Sequence, residues 1–241
     1  YWFDPAAPVP ARTNESGHFR PGKQITHGDV NILHDGTILR GNAAMPLWKE
    51  PPRFLVVADE SDTWGHDVRA FDKVVDTFSL ASTAILTGPV TSKLYQRWTY
   101  GRSEIDVIYA LYTGCPEVYV EVTVNWAEHR RLLKLEMTPA GADASTYTME
   151  GPGGPIERRA AGEEMPLHTW LWVPTVGQHG LGMLQDGAFA CDCHNGRLRL
   201  TLVRSSIYSF HDIVPLVPAD PQRHTDQGLH EFRLCWLPEQ E

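Results

Sequence analysis

Asp62-Thr63-Trp64-Gly65-His66-Asp67 packs two carboxylates, an imidazole and an indole around one glycine. Such a set can do three things. As a turn, Asp62 accepts backbone N–H bonds at a strand end, Trp64 packs its ring, and Gly65 takes a backbone angle that other residues resist. As a sugar-facing rim, the Trp64 indole stacks on the apolar face of a pyranose, while His66 and Asp67 bond its hydroxyls. As a catalytic pair, Asp62 and Asp67 would have to stand about 5 Å apart across a glycosidic bond. Nothing in their spacing arranges that, so no catalytic residue is assigned. A second polar cluster is Tyr208-Ser209-Phe210-His211-Asp212, with Arg204 before it and Asp226-Gln227 after it. It reads either as a binding loop at one end of a sandwich, using Arg204, His211 and Asp212, or as a solvated loop pinned by an ion pair from Arg204 to an Asp. Glu128-His129-Arg130-Arg131 reads as an exposed turn, and Glu163-Glu164 as a solvated acidic pair.

Metal chemistry has little support. The 11 histidines are scattered, without the i, i+4 or His-x-His spacing that preorganises zinc. Cys191 and Cys193 share one face of a strand, but no second cysteine pair completes a tetrahedral site, so the four cysteines read as buried or half-buried free thiols. A net charge of −9 without a basic run argues against nucleic acid as a partner. No run of about 18 apolar residues exists to span a membrane, and there is no secretory apolar region. A cytoplasmic location is the expectation. Beginning with Tyr1 rather than Met, the sequence reads as a fragment or a processed product.

Alternation supplies the elements that must hold these residues. Val118, Val120, Val122 and Val124 fall on one face of a strand, Tyr119, Glu121 and Thr123 on the other. Leu133, Leu135 and Met137 alternate with Lys134 and Glu136, and the polar stretch from Trp126 to Arg131 reads as the connection between these strands. Asp29–Arg40 reads as a hairpin with Asp35-Gly36 as a two-residue turn. Phe54–Val57 is a short buried strand running into the Asp62 turn. Further strands are expected over 77–86, 91–100, 105–112, 169–173 and 181–184. A hairpin turns at Asn195-Gly196, with Leu198, Leu200 and Leu202 on one side and Arg199 and Thr201 on the other. The last strand, 231–237, puts Phe232, Leu234 and Trp236 on one face. No segment has a long helical period. The fold class is all-β, a large antiparallel sandwich over 29–241, preceded by a linker or surface arm over 1–28.

Several stretches together resemble a known family. VEVTVNWAEHRRLLKLEM (120–137), DASTYTMEGPGGPIER (143–158), RLTLVRSSIYSFHD (199–212) and TDQGLHEFRLCWLP (225–238), with DTWGHD shortly after the first strands, are similar to the C-terminal β-domain of family 38 glycoside hydrolases, the α-mannosidases. The resemblance runs in order over roughly 29–238. It implies a supersandwich like that of galactose mutarotase. It also implies a partner, a separate α-mannosidase catalytic domain holding zinc through His and Asp and an Asp nucleophile, with carbohydrate as ligand of the whole. His27-Gly28-Asp29 has the spacing of a metal pair but lacks the family's surrounding motif. The function expected is that of an accessory β-domain in mannoside hydrolysis. The alternatives are a free-standing carbohydrate-binding sandwich and a mutarotase-like epimerase, which would need an acid such as His66 and a base such as Glu121 or Glu136.

Overall fold

The alternating segments become strands with every second residue buried. The computed structural model describes residues 22–41, 44–65, 67–142, 145–175, 180–208 and 223–238. Its strands, in chain order, are β1 Gln24–His27, β2 Val30–Leu33, β3 Ile38–Arg40, β4 Met45–Pro46, β5 Trp48–Ala58, β6 Val74–Thr77, β7 Ser79–Thr87, β8 Thr91–Tyr100, β9 Ser103–Tyr112, β10 Val118–Trp126, β11 Arg131–Pro139, β12 Thr146–Gly151, β13 Gly154–Arg159, β14 Met165–Pro166, β15 Trp170–Pro174, β16 Gly180–Asp186, β17 Ala190–His194, β18 Arg197–Ser205 and β19 Gly228–Pro238. A nine-stranded sheet runs β13-β12-β15-β16-β19-β10-β9-β8-β7, and a six-stranded sheet runs β14-β17-β18-β11-β5-β6. β1 to β4 form a third sheet. The antiparallel sandwich expected from the sequence is the fold observed.

The core lies between the inner faces. β10 sits inside the large sheet, with Val122 opposite Val107 of β9 and Phe232 of β19. Its four valines are all buried, as are Phe232, Leu234 and Trp236. Trp126 does not belong to a polar connection, as its neighbours suggested. It ends β10 and is 1% exposed, stacked on Phe78 at 6.4 Å and 24°. Phe78 marks a second departure. The single strand expected over 77–86 is two, because the chain leaves the six-stranded sheet with β6 and joins the nine-stranded sheet with β7. Buried Phe78 is the residue between them.

The first sheet corrects two expectations. Gln24–His27 is not part of an arm, since it pairs with β2 and buries Ile25 in the common core; residues 1–21 lie outside the described residues. The following hairpin turns on three residues, His34-Asp35-Gly36, rather than two. Leu33 N bonds Thr37 O across it, and Gly36 takes the left-handed φ of +88° that closes such a loop. Phe54–Val57 proves to be the buried end of the longer β5.

One irregularity positions the candidate site. β11 pairs Leu133 with Val203 but Lys134 with Thr201, which leaves Leu202 as the extra residue of a bulge. Leu198 and Leu200 point into the core, and without the bulge Arg204 would share their face. The extra residue reverses the phase, so Val203 enters the core and Arg204 turns outward beside Leu132. Leu202, though the bulged residue, still joins Leu198 and Leu200 in the core.

Candidate functional site

Asp62 builds the turn that follows β5. Its Oδ1 accepts Trp64 N–H at 2.8 Å and Gly65 N–H at 3.3 Å. Gly65 has φ +58°, Asp67 has φ +58°, and Val68 N–H closes a further turn on Gly65 O at 3.1 Å. The structural role expected for Asp62 and Gly65 is thus present. The packing expected for Trp64 is not: it stands 70% exposed, and Asp67 is exposed as well.

Arg204 braces this turn from below. Its Nε donates to Asp59 Oδ2 at 2.9 Å, and its Nη2 donates to Ser61 Oγ at 2.8 Å and to the Asp62 carbonyl at 2.6 Å. Asp59 is 1% exposed and also accepts Ser61 N–H at 3.0 Å and Ser61 O–H at 2.6 Å. A buried carboxylate saturated in this way fixes a guanidinium firmly. The sequence pointed to an Arg204–Asp ion pair; the acid is Asp59, which had not been singled out. After β18 the chain runs past the turn, where Thr63 N–H bonds Ile207 O at 3.0 Å and Ile207 bridges both Asp62 and His224. Tyr208, 58% exposed, follows. His224 stacks on His129 at 4.0 Å and 7°. The result is a rigid rim carrying exposed Trp64, Asp67 and Tyr208 beside two stacked imidazoles. His66, His211 and Asp212 lie outside the described residues.

Residues 69–73 fold back over the outer face of the six-stranded sheet. Phe71 packs on Leu55, Val57 and Leu132, and the Arg204 guanidinium lies 5.0 Å from its ring. Beside this patch the outer face is charged but not wet. Lys134, 0% exposed, bonds Asp192 at 2.5 Å and also Glu164, which accepts Thr201 O–H too. Glu136 lies between Arg53 and Arg199. Lys134 and Glu136 are therefore buried rather than solvent-facing, and Glu164 is not a member of a solvated pair. Burial alone would raise the Glu136 carboxyl, yet the hydrogen bonds from Arg53 and Arg199 hold it below its ordinary value. Burial raises Asp192 despite Lys134.

These contacts bear on the other chemistries. Glu136 is bound by two guanidiniums on this outer face, while Glu121 lies on the outer face of the other sheet, opposite Arg233 and Ile108. Neither is placed as the base of an epimerase. Burial pushes the thiols of Cys191 and Cys193 up to about 12, which suits core packing and not nucleophilic or metal chemistry. The His27 ring meets Thr26 O and Thr113 Oγ1, and Asp29 faces Arg40, so that pair does not converge. Among the described residues no three His, Cys, Asp or Glu side chains are grouped to hold a metal ion.

The family model described as the glycosyl hydrolases family 38 C-terminal domain matches residues 44–221. The structure is similar to an alpha-mannosidase from Enterococcus faecalis V583, with TM-score 0.67 and 11% identity over 89% of this chain and 29% of that one. It is also similar to a protein in the glycosyl hydrolase family 38 from Enterococcus faecalis, with TM-score 0.66 and 11% identity over 89% of this chain and 30% of that one. The chain thus spans less than a third of the length of either. No curated protein matches the sequence.

Proposed function

The chain belongs to the family of glycosyl hydrolases family 38 C-terminal domains, and from this premise we propose that it serves as the accessory β-domain of an α-mannosidase, working beside a catalytic domain that supplies the nucleophile and the zinc. The braced turn carries this reading. Arg204, Asp59 and Asp62 spend their hydrogen bonds on holding a loop whose indole, Trp64, is left 70% exposed. A large exposed aromatic on an immobilised loop is what a contact surface needs, because little side-chain or loop entropy is lost when something seats on it. Trp64 and Asp67 face either the catalytic domain or the mannoside at its pocket. In the enzyme assembled with its catalytic domain, Trp64→Ala and Asp67→Ala are expected to lower kcat/KM for an aryl α-mannoside by about tenfold, a loss of about 1.4 kcal/mol of transition-state stabilisation. The melting of the chain should stay unchanged. Wild-type kinetics in both variants would overturn the assignment of this rim.

A further inference from the structure

The opposite outside of the sandwich carries a feature that the braced turn does not explain. β15 turns Leu171 and Val173 into the core and Trp170 and Trp172 outward. Across the ladder, Trp170 stands opposite Leu184 and Trp172 opposite Gly182. A Cβ on Gly180 would run into Cζ2 and Cε2 of Trp172, and one on Gly182 would come within 3.4 Å of its Cε3 and 3.3 Å of Leu237 Cβ. The indole therefore lies across two glycines, against bare backbone, in a position that any side chain at 180 would deny it. With Thr148, Trp170, Leu184 and Leu237 it lines a groove of about 390 Å³. Polar groups stand around it. Glu150, on the same face of β12 as Thr148, accepts Thr169 N–H at 2.9 Å next to Trp170. Asp186 and Arg233, 4.0 Å apart and both more than three-quarters exposed, lie beyond Leu184.

We propose that this groove binds one neutral hexopyranose unit of a glycan, its C–H face on the Trp172 indole and its hydroxyls toward Thr148, Glu150 and the Asp186–Arg233 pair. A pyranose has an apolar face and a hydroxyl-bearing edge, and the groove has an aromatic floor with Thr148 in its lining, and Glu150, Asp186 and Arg233 on the neighbouring strands. Its volume is that of a small-ligand site. A protein partner would instead need a surface of roughly 800 Å² on each side. The floor is carried by strands and held from beneath, so it is formed before the ligand arrives.

The test is a titration of the 241-residue chain with mannobiose, following the indole N–H resonances of Trp170 and Trp172, assigned through Trp→Phe variants. Saturable shifts with a roughly millimolar Kd are expected. Gly180→Ala, which lifts the indole off the backbone, and Trp172→Ala should each weaken binding at least about tenfold. If Gly180→Ala fails to fold, Trp170→Ala at the half-exposed ring replaces it with the same expectation. Trp64→Ala should leave the affinity unchanged, so failure here and failure of the rim assignment are separate results. Absence of a saturable shift, shifts that survive Trp172→Ala, or occupation of the groove by an apolar dye that mannobiose does not displace would overturn the proposal.

Discussion

Arg204 is the side chain on which the exposed turn depends, and its grip is set by a single buried acid. Asp59→Asn would leave the guanidinium facing a neutral amide in a place built for a charge. It is expected to cost about 3 kcal/mol in urea unfolding. Asp62→Ala removes the acceptances from Trp64 and Gly65 N–H and should cost about 1 kcal/mol. Two acids on the same sheet should respond to pH in opposite senses. Glu136 is held below its ordinary value, so its contribution is present above the unfolded-state pKa and is lost as pH falls through the folded one. Asp192 is raised, so its contribution is complete only below the unfolded-state pKa and is lost as pH rises through the folded one. Measured by thermal midpoint across the acidic range, Glu136→Gln should flatten the acid loss of stability and Asp192→Asn should steepen it. The same slope in both variants would contradict the pairing described.

At the scale of elements, the corner at Phe78 joins the two large sheets through one aromatic side chain that contacts Phe54, Tyr100 and Trp126. Phe78→Ala is expected to destabilise by roughly 3–5 kcal/mol, because the cavity opens where neither sheet can close over it. Val122→Asp, in the middle of β10, should be worse tolerated still, since it buries a carboxylate without a partner. Elements of this kind were legible where one face meets the core and period two shows through, as in β10 and β19. The turn at Asp62 was legible because its bonds span two or three residues. Lys134 and Glu136 misled for a physical reason. Their alternation is real, but it says only that they leave the core, not that residues 69–73 and Glu164 return to cover the same sheet. Asp59 and Arg204 lie too far apart in the chain for spacing to join them, and the bulge at Leu202 adds no residue type that would announce it. Trp170 and Trp172 were read as a strand, but the glycines beneath them gain meaning only once the register is known.

For the molecule as a whole, the two outer faces differ in kind. Among the described residues, the six-stranded sheet is roofed by its own chain and closed by ion pairs, whereas the nine-stranded sheet carries an open aromatic groove. The fold rests on packing between the sheets, and no grouped metal donors occur among the described residues. Dialysis against a chelator is accordingly expected to leave the thermal midpoint of the chain unchanged, and a fall of several degrees would reveal a structural ion. The bulge at Leu202 has a hereditary consequence. It makes the direction of Arg204 a question of how many residues precede it, not of which ones. A missense change at Leu202 alters one partly replaceable apolar contact and keeps the count. Loss of the Leu202 codon straightens the ladder and keeps Arg204 opposite Leu132, whereas a codon gained between Leu200 and Arg204 moves the guanidinium off that place, strips Asp59 of its partner and frees the turn above. In a mutational scan of this strand, in-frame insertions between Leu200 and Arg204 are therefore expected to be depleted far more strongly than substitutions at the bulged position or its loss.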